Sequence, residues 1–109
     1  MSNLRPIREN EKILIAFLLT KAGLSPEAFP YSEEVDEYEG GKMGSISIGG
    51  NPDTYAGDVI QAHYTDADGT GVVITLTRDA DNRLLDLDFW KVDFSKLLAY
   101  PVPAQLSFR

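Results

Sequence analysis

Apolar residues bunch early in the chain and alternate later. Between Ile7 and Ala22 they recur at every helical turn, and from Glu33 to Val92 they mostly alternate with polar ones. The first pattern predicts a helix over Ile7–Ala22. Glu9 and Glu11 fall in its first turn, where negative charge suits the positive end of the dipole, while Lys21 and Gly23 mark its end. Leu14, Phe17, Leu18 and Ala22 form one stripe; Ile13, Ile15, Ala16 and Leu19 widen it nearly all round, so the helix is expected to be buried on most sides against a sheet. A short helical turn is expected after Ser25, with Pro26 at its first position.

The alternating part predicts strands separated by turns. Glu34–Glu39 reads as a polar strand, turned by Gly40-Gly41 into Met43–Ile48. Gly49 to Asp53 is a loop. Asp58–Thr65 points Ile60, Ala62 and Tyr64 inward, and Asp66-Ala67-Asp68-Gly69 is a hairpin turn. Thr70–Arg78 points Val72, Ile74 and Leu76 inward. After the turn at Asp79–Asn82, Leu84–Val92 sets Leu85, Leu87 and Phe89 against Asp86, Asp88 and Trp90. Ser95–Ala99 reads as a helical turn before Pro101. The expectation is a single α+β domain over residues 1–109, one N-terminal helix packed on an antiparallel meander of four to five strands, with Phe17, Leu18, Ile74, Leu76 and Leu87 together in its core.

Composition narrows the function classes. A chain of 109 residues, 43% hydrophobic and 25% charged, can bury one core without staples. It has no cysteine, so disulfides and thiolate chemistry are excluded, and a cytoplasmic location is expected. The apolar run Ile13–Leu19 is far short of a membrane span, and the acids before it do not suit a signal peptide. The net charge is −7, and residues 27–58 alone, with eight acids against Lys42, carry that amount. Such a surface repels phosphate backbones and attracts basic proteins, so the expected partner is a basic protein surface, with no nucleic acid and no membrane.

Four groups of residues could carry chemistry. Asp66-x-Asp68-Gly69 and Asp79-x-Asp81 resemble the start of a calcium loop but lack its later ligands, and turn formation accounts for them; no metal or cofactor is expected. His63, the only histidine, lies on the strand face opposite the inward residues, without a nucleophile motif, so no catalytic residue is assigned. Asp86 and Asp88 share a face of one strand, about 7 Å apart, a poor arrangement for paired-carboxylate hydrolysis, which needs opposed groups around a cleft. Trp90 shares that face, either as an exposed anchor or covered by Phe94, Leu97 and Leu98.

The stretch Leu84-Leu85-Asp86-Leu87-Asp88-Phe89-Trp90-Lys91-Val92-Asp93-Phe94-Ser95-Lys96-Leu97 carries a resemblance. So do Arg5-Pro6-Ile7 leading to Glu11-Lys12, and Gly41-Lys42-Met43-Gly44-Ser45. Together they resemble a family of small bacterial proteins of unknown function, and the chain is similar to immunity proteins that neutralise toxins. Arg8 stands where the family pattern suggests a capping Ser or Thr, and Lys96 where it suggests Pro. The resemblance implies no catalytic motif.

The leading expectation is therefore a binding module, an immunity-type inhibitor of a basic toxin being one form. Its contact residues are Tyr31, Glu33, Glu34, Asp36, Glu37, Tyr38, Glu39 and Trp90. So polar a strand is expected at a sheet edge, with its acids free to be neutralised without loss of stability. The alternatives are a small enzyme or ligand-binding domain using His63 and nearby acids, or a structural homodimer.

Overall fold

The computed structural model describes residues 4–38 and 44–108. Among these, one α-helix, α1 (Glu9–Lys21), lies with six strands: β1 (Leu4–Pro6), β2 (Glu34–Glu37), β3 (Ile46–Ser47), β4 (Tyr55–Thr65), β5 (Gly71–Asp79) and β6 (Leu84–Lys91). Single 3-10 turns at Pro26–Ala28, Pro52–Thr54 and Pro103–Gln105 each begin with proline, whose fixed φ suits a first helical position.

The strands form one antiparallel sheet in the order β1-β2-β3-β6-β5-β4. This is an α+β fold, with one strand more than expected because β1 is present. The strands β4, β5 and β6 make the expected meander. β3, however, pairs with β6 rather than with its sequence neighbour β4, aligning Ile46 with Leu87 and Ser47 with Asp86. The reason lies in β6, whose Leu84, Leu85, Leu87, Phe89 and Lys91 are all buried. So apolar a strand is best placed in the middle of a sheet, with neighbours on both sides.

The polar strand β2 is not at the edge. β1 lies outside it, with Leu4 opposite Asp36 and Pro6 opposite Glu34. Proline on the outermost strand blocks further pairing there. The other edge, β4, is interrupted by bulges near Gly57 and is met by one rung from the tail: His63 N–H donates to the Ser107 carbonyl (2.8 Å), and Ser107 N–H to that of His63 (2.9 Å).

The helix is narrower in its burial than its composition suggests. Leu14, Ile15, Leu18 and Leu19 are fully buried, whereas Ile13 and Ala16 are exposed and Phe17 is only half-buried. Phe17 therefore stands outside the core it was expected to join; its ring meets Phe108 at 6.0 Å instead. Leu18, Ile74, Leu76 and Leu87 do share the core. Arg8 is the N-cap, and having no acceptor it cannot close a capping box; Glu11 supplies the other half, accepting from the Arg8 N–H at 2.8 Å. The loop before β4 depends on two glycines. A Cβ on Gly49, at φ 105°, would stand 2.9 Å from the Ser32 Cβ, and one on Gly50 2.8 Å from the Leu84 carbonyl oxygen.

Residues 95–99 do not form the expected helical turn. They run as an irregular strap anchored by the buried Asp66 carboxylate, which accepts from the amides of Leu98 (2.8 Å) and Ala99 (3.0 Å). The Gly40-Gly41 turn, Lys42 and Met43 lie outside the described residues.

Candidate functional site

Strand alternation decides which face of the sheet is available. Along β6, Leu87, Phe89 and Lys91 point to the side covered by α1 and the tail, and Asp86, Asp88 and Trp90 to the other side; a register shift near the start of the strand puts Leu84, rather than the expected Leu85, into the core. Cross-strand register extends this second face: Ser47 lies beside Asp86, Asp36 beside Ser47, Thr75 beside Asp88 and Val73 beside Trp90. The positions of β2, β3 and β6 on this open face are Glu34, Asp36, Ser47, Asp86, Asp88 and Trp90, none of them basic.

At one end of this face Tyr38, Ser45, Asp86, Asp88, Phe89, Trp90 and Phe94 line a hollow of about 420 Å³. The Tyr38 hydroxyl donates to Asp86 Oδ1 at 2.7 Å, and the Ser45 hydroxyl lies 3.1 Å from Asp88 Oδ1. Ser45 also accepts from the Phe89 N–H at 2.8 Å, so its side chain fastens the chain before β3 onto β6. Burial pushes the Asp86 carboxyl up, the Tyr38 hydroxyl opposes this, and the Asp88 charge adds to the rise. Burial, the hydrogen bond to Asp86 and the Asp86 charge together push the Tyr38 phenol up to about 12.

The aromatic wall is exposed. Trp90 is 48% and Phe94 62% accessible, with ring centroids 6.3 Å apart. Phe94 has φ 63°, a left-handed conformation that costs a bulky L-residue about 1–3 kcal/mol. Of the residues expected to cover Trp90, Phe94 pairs its ring with the indole, Leu98 is exposed, and Leu97 packs against the core.

The structure brings together some of the expected contact residues and separates others. Tyr38 and Trp90 line one hollow, and Glu34 and Asp36 lie on the same open face. Tyr31 instead packs against the core and lines a separate hollow with Pro30, Ser32, Gly49 and Arg83. Glu33 is exposed at the bend before β2. Glu37 points to the helix side, where Arg5 Nε donates to its carboxylate at 2.8 Å; the same guanidinium holds the buried Glu11 through contacts of 3.0 and 2.7 Å. Glu37 is thus engaged within the fold, not free to be neutralised as expected. Glu39 lies outside the described residues. Asp86, Asp88 and Phe94 belong to the site although they were not among the expected contacts. The signal for the two acids is the alternation Asp86-x-Asp88-x-Trp90, which puts them on the face of the tryptophan.

The Asp-rich hairpin turn has a second role. The Lys91 ammonium, 1% accessible, sits 2.9 Å from Asp66 Oδ2 and 2.8 Å from Asp68 Oδ2, and donates to the Lys96 carbonyl at 2.9 Å. Burial opposes ionisation of Asp66, but the Leu98 amide, Lys91, and the Ala67 and Ala99 amides outweigh it and hold the carboxyl down at about 2. Asp79 serves the next turn, accepting from the amides of Asn51, Asp81 and Arg83. Both turns are explained by hydrogen bonds within the chain, and among the described residues no group of three or more acids or histidines is arranged to hold a metal.

His63 borders another open hollow, of about 530 Å³, with Val73, Val92, Gln105 and Ser107. Its imidazole has no hydrogen-bond partner among the described residues, and it meets Ser107 through backbone groups only. That arrangement lacks the nucleophile–base contact and the orienting acid that a catalytic histidine requires.

Among the described residues no helix is long and apolar enough to cross a membrane. Comparison with curated proteins and with solved structures returns no match. A family model does match, over residues 4–101, which takes in the helix, all six strands and the strap up to Pro101. The chain belongs to this family, described as a domain of unknown function (DUF6984).

Proposed function

We propose that this chain is a protein-binding module that uses the open face of its sheet to hold a partner with a basic surface. One observation carries the reading: the chain's only tryptophan stands half-exposed beside an exposed phenylalanine, on the same face of β6 as the carboxylates of Asp86 and Asp88, with no base of β6 on that face. Exposed aromatics in a hollow are typical anchors of protein interfaces, and a single-sign field steers an oppositely charged partner toward them. Glu34, Asp36, Asp86 and Asp88 supply the field, and Tyr38, Trp90 and Phe94 the anchors. An immunity-type inhibitor of a basic toxin, acting in the bacterial cytoplasm, is the specific form that the acidic character and the family resemblance suit best.

The intact protein serves as bait against an extract of its host at low and at high salt, beside a Trp90→Ala variant. The expected result is a basic protein that wild type retains, that salt releases, and that the variant fails to hold. A partner held equally by both proteins, or held independently of salt, would place the binding surface elsewhere.

A further inference from the structure

We propose that the hollow between Tyr38, Asp86, Asp88, Trp90 and Phe94 receives one arginine side chain of the partner protein, its guanidinium stacked on the indole and its N–H groups donated to the carboxylates. This deepens the preceding reading and rests on it. The chemistry follows from the order of side chains on one strand. Asp86, Asp88 and Trp90 occupy alternate positions of β6, so a carboxylate and an aromatic face stand side by side about 7 Å apart. A planar cation can use both at once: its face meets the indole and its edge donates to oxygen.

Both carboxylates have capacity left. An ionised carboxylate offers about four acceptor sites. Within the hollow, Asp86 accepts from Tyr38 and Asp88 from Ser45. The nearest bases in sequence are both engaged elsewhere, Arg83 by Asp79 and Lys91, on the opposite face, by Asp66 and Asp68. Burial and the Asp88 charge leave Asp86 in a strained ionisation that an incoming cation relieves. Phe94 holds the second wall in place from a left-handed backbone, while Leu97, three residues on, packs against the core. Lysine suits the site less well, because its ammonium is a strongly hydrated point charge without a flat face to stack.

The test uses the full chain labelled with ¹⁵N at low salt, titrated with acetyl-Gly-Arg-Gly-amide and with the same peptide carrying lysine or neutral citrulline. The arginine peptide should shift the Trp90 indole N–H and the amides of Asp88 and Phe94. It should bind at least about tenfold more tightly than the citrulline peptide, with lysine between them. Trp90→Ala, and separately Asp86→Asn with Asp88→Asn, should remove these shifts while the spectrum stays dispersed. Trp90→Phe, which keeps a ring, should retain part of the binding should the alanine variant fold poorly. Equal binding of citrulline, or shifts that spare Trp90, would overturn the arginine assignment. If wild type retains a salt-sensitive basic partner and Trp90→Ala does not, yet the arginine peptide leaves Trp90 unshifted, only this inference falls. If no such partner is held either, the protein-binding reading falls with it.

Discussion

Strand β6 carries two sets of acidic contacts on its two faces, and they behave in opposite ways. On the covered face Lys91 draws in Asp66 and Asp68, and with them the strap that follows the strand. On the open face Asp86 and Asp88 share a phenol, a serine hydroxyl and two exposed rings, without a cation among the described residues. The covered set is complete: charge and hydrogen bonds together outweigh burial, and the Asp66 carboxyl is held low. The open set is incomplete, and the Asp86 carboxyl is pushed up. A carboxylate whose counter-charge lies within the chain serves the fold, whereas one whose counter-charge is missing is available to a partner.

The sharpest way to break this contrast is to remove the cation from the covered set. Lys91→Met should leave the buried Asp66 carboxylate beside Asp68 without its counter-charge and cost about 3–5 kcal/mol in urea unfolding. Asp88→Asn, three residues away on the other face, should change stability by less than about 0.5 kcal/mol. Similar losses from the two variants would show that both sets are structural. The helix repeats the contrast between closed and open positions. Leu18→Ala should cost about 2–5 kcal/mol by leaving a cavity. Phe17→Ala should cost only about 1–2 kcal/mol, because its half-buried ring loses mainly the Phe108 contact. A reversed order in denaturant midpoints would mean that the helix is rotated about its axis.

A smaller effect separates the acids of β2. Glu37→Gln weakens the Arg5 pair and should cost about 1 kcal/mol, whereas the exposed Glu34→Gln should be neutral within about 0.5 kcal/mol. Equal values would return Glu37 to the open surface.

The smallest effect is a slope. The Asp66 carboxyl is depressed to about 2, so its contribution is present above the ordinary carboxylate range and fades as pH falls toward that value. The Asp86 carboxyl is raised, so its burial opposes folding at neutral pH and the opposition is relieved as pH falls through its folded value. Asp66→Asn should therefore flatten the acid-side loss of stability, and Asp86→Asn should steepen it. Unfolding midpoints between about pH 5 and pH 2, spanning the carboxylate range, decide this; parallel curves would contradict the contrast.

Much of the fold is legible in the chain. The apolar run ending at Lys21-Ala22-Gly23 gives α1 to within two residues at its start and one at its end. Period-two alternation bounded by Asp-Gly and Asp-Asn turns gives β4, β5 and β6, because a short turn leaves two alternating strands little choice but to pair. β1 is not legible, since Leu4-Arg5-Pro6 is too short to show a period and becomes a strand only by lying against β2. The site was half legible. Alternation puts Asp86, Asp88 and Trp90 on one face, but nothing local reveals that Tyr38 comes from 48 residues away to bond Asp86.

The sequence by itself determined the α+β class, the inward face of each long strand and the excess of acid, because these depend on periodicity and counting along one dimension. The tertiary structure alone decided which acids have partners. Glu37 lies in a run of acids on β2, and only the approach of Arg5 from β1 ties it into the fold. Asp68 and Asp88 are equally acidic as residues, and only the placement of Lys91 separates them. Charge acts through space over distances that chain order does not record, so the distinction between a structural acid and an available one emerges only once the sheet is assembled.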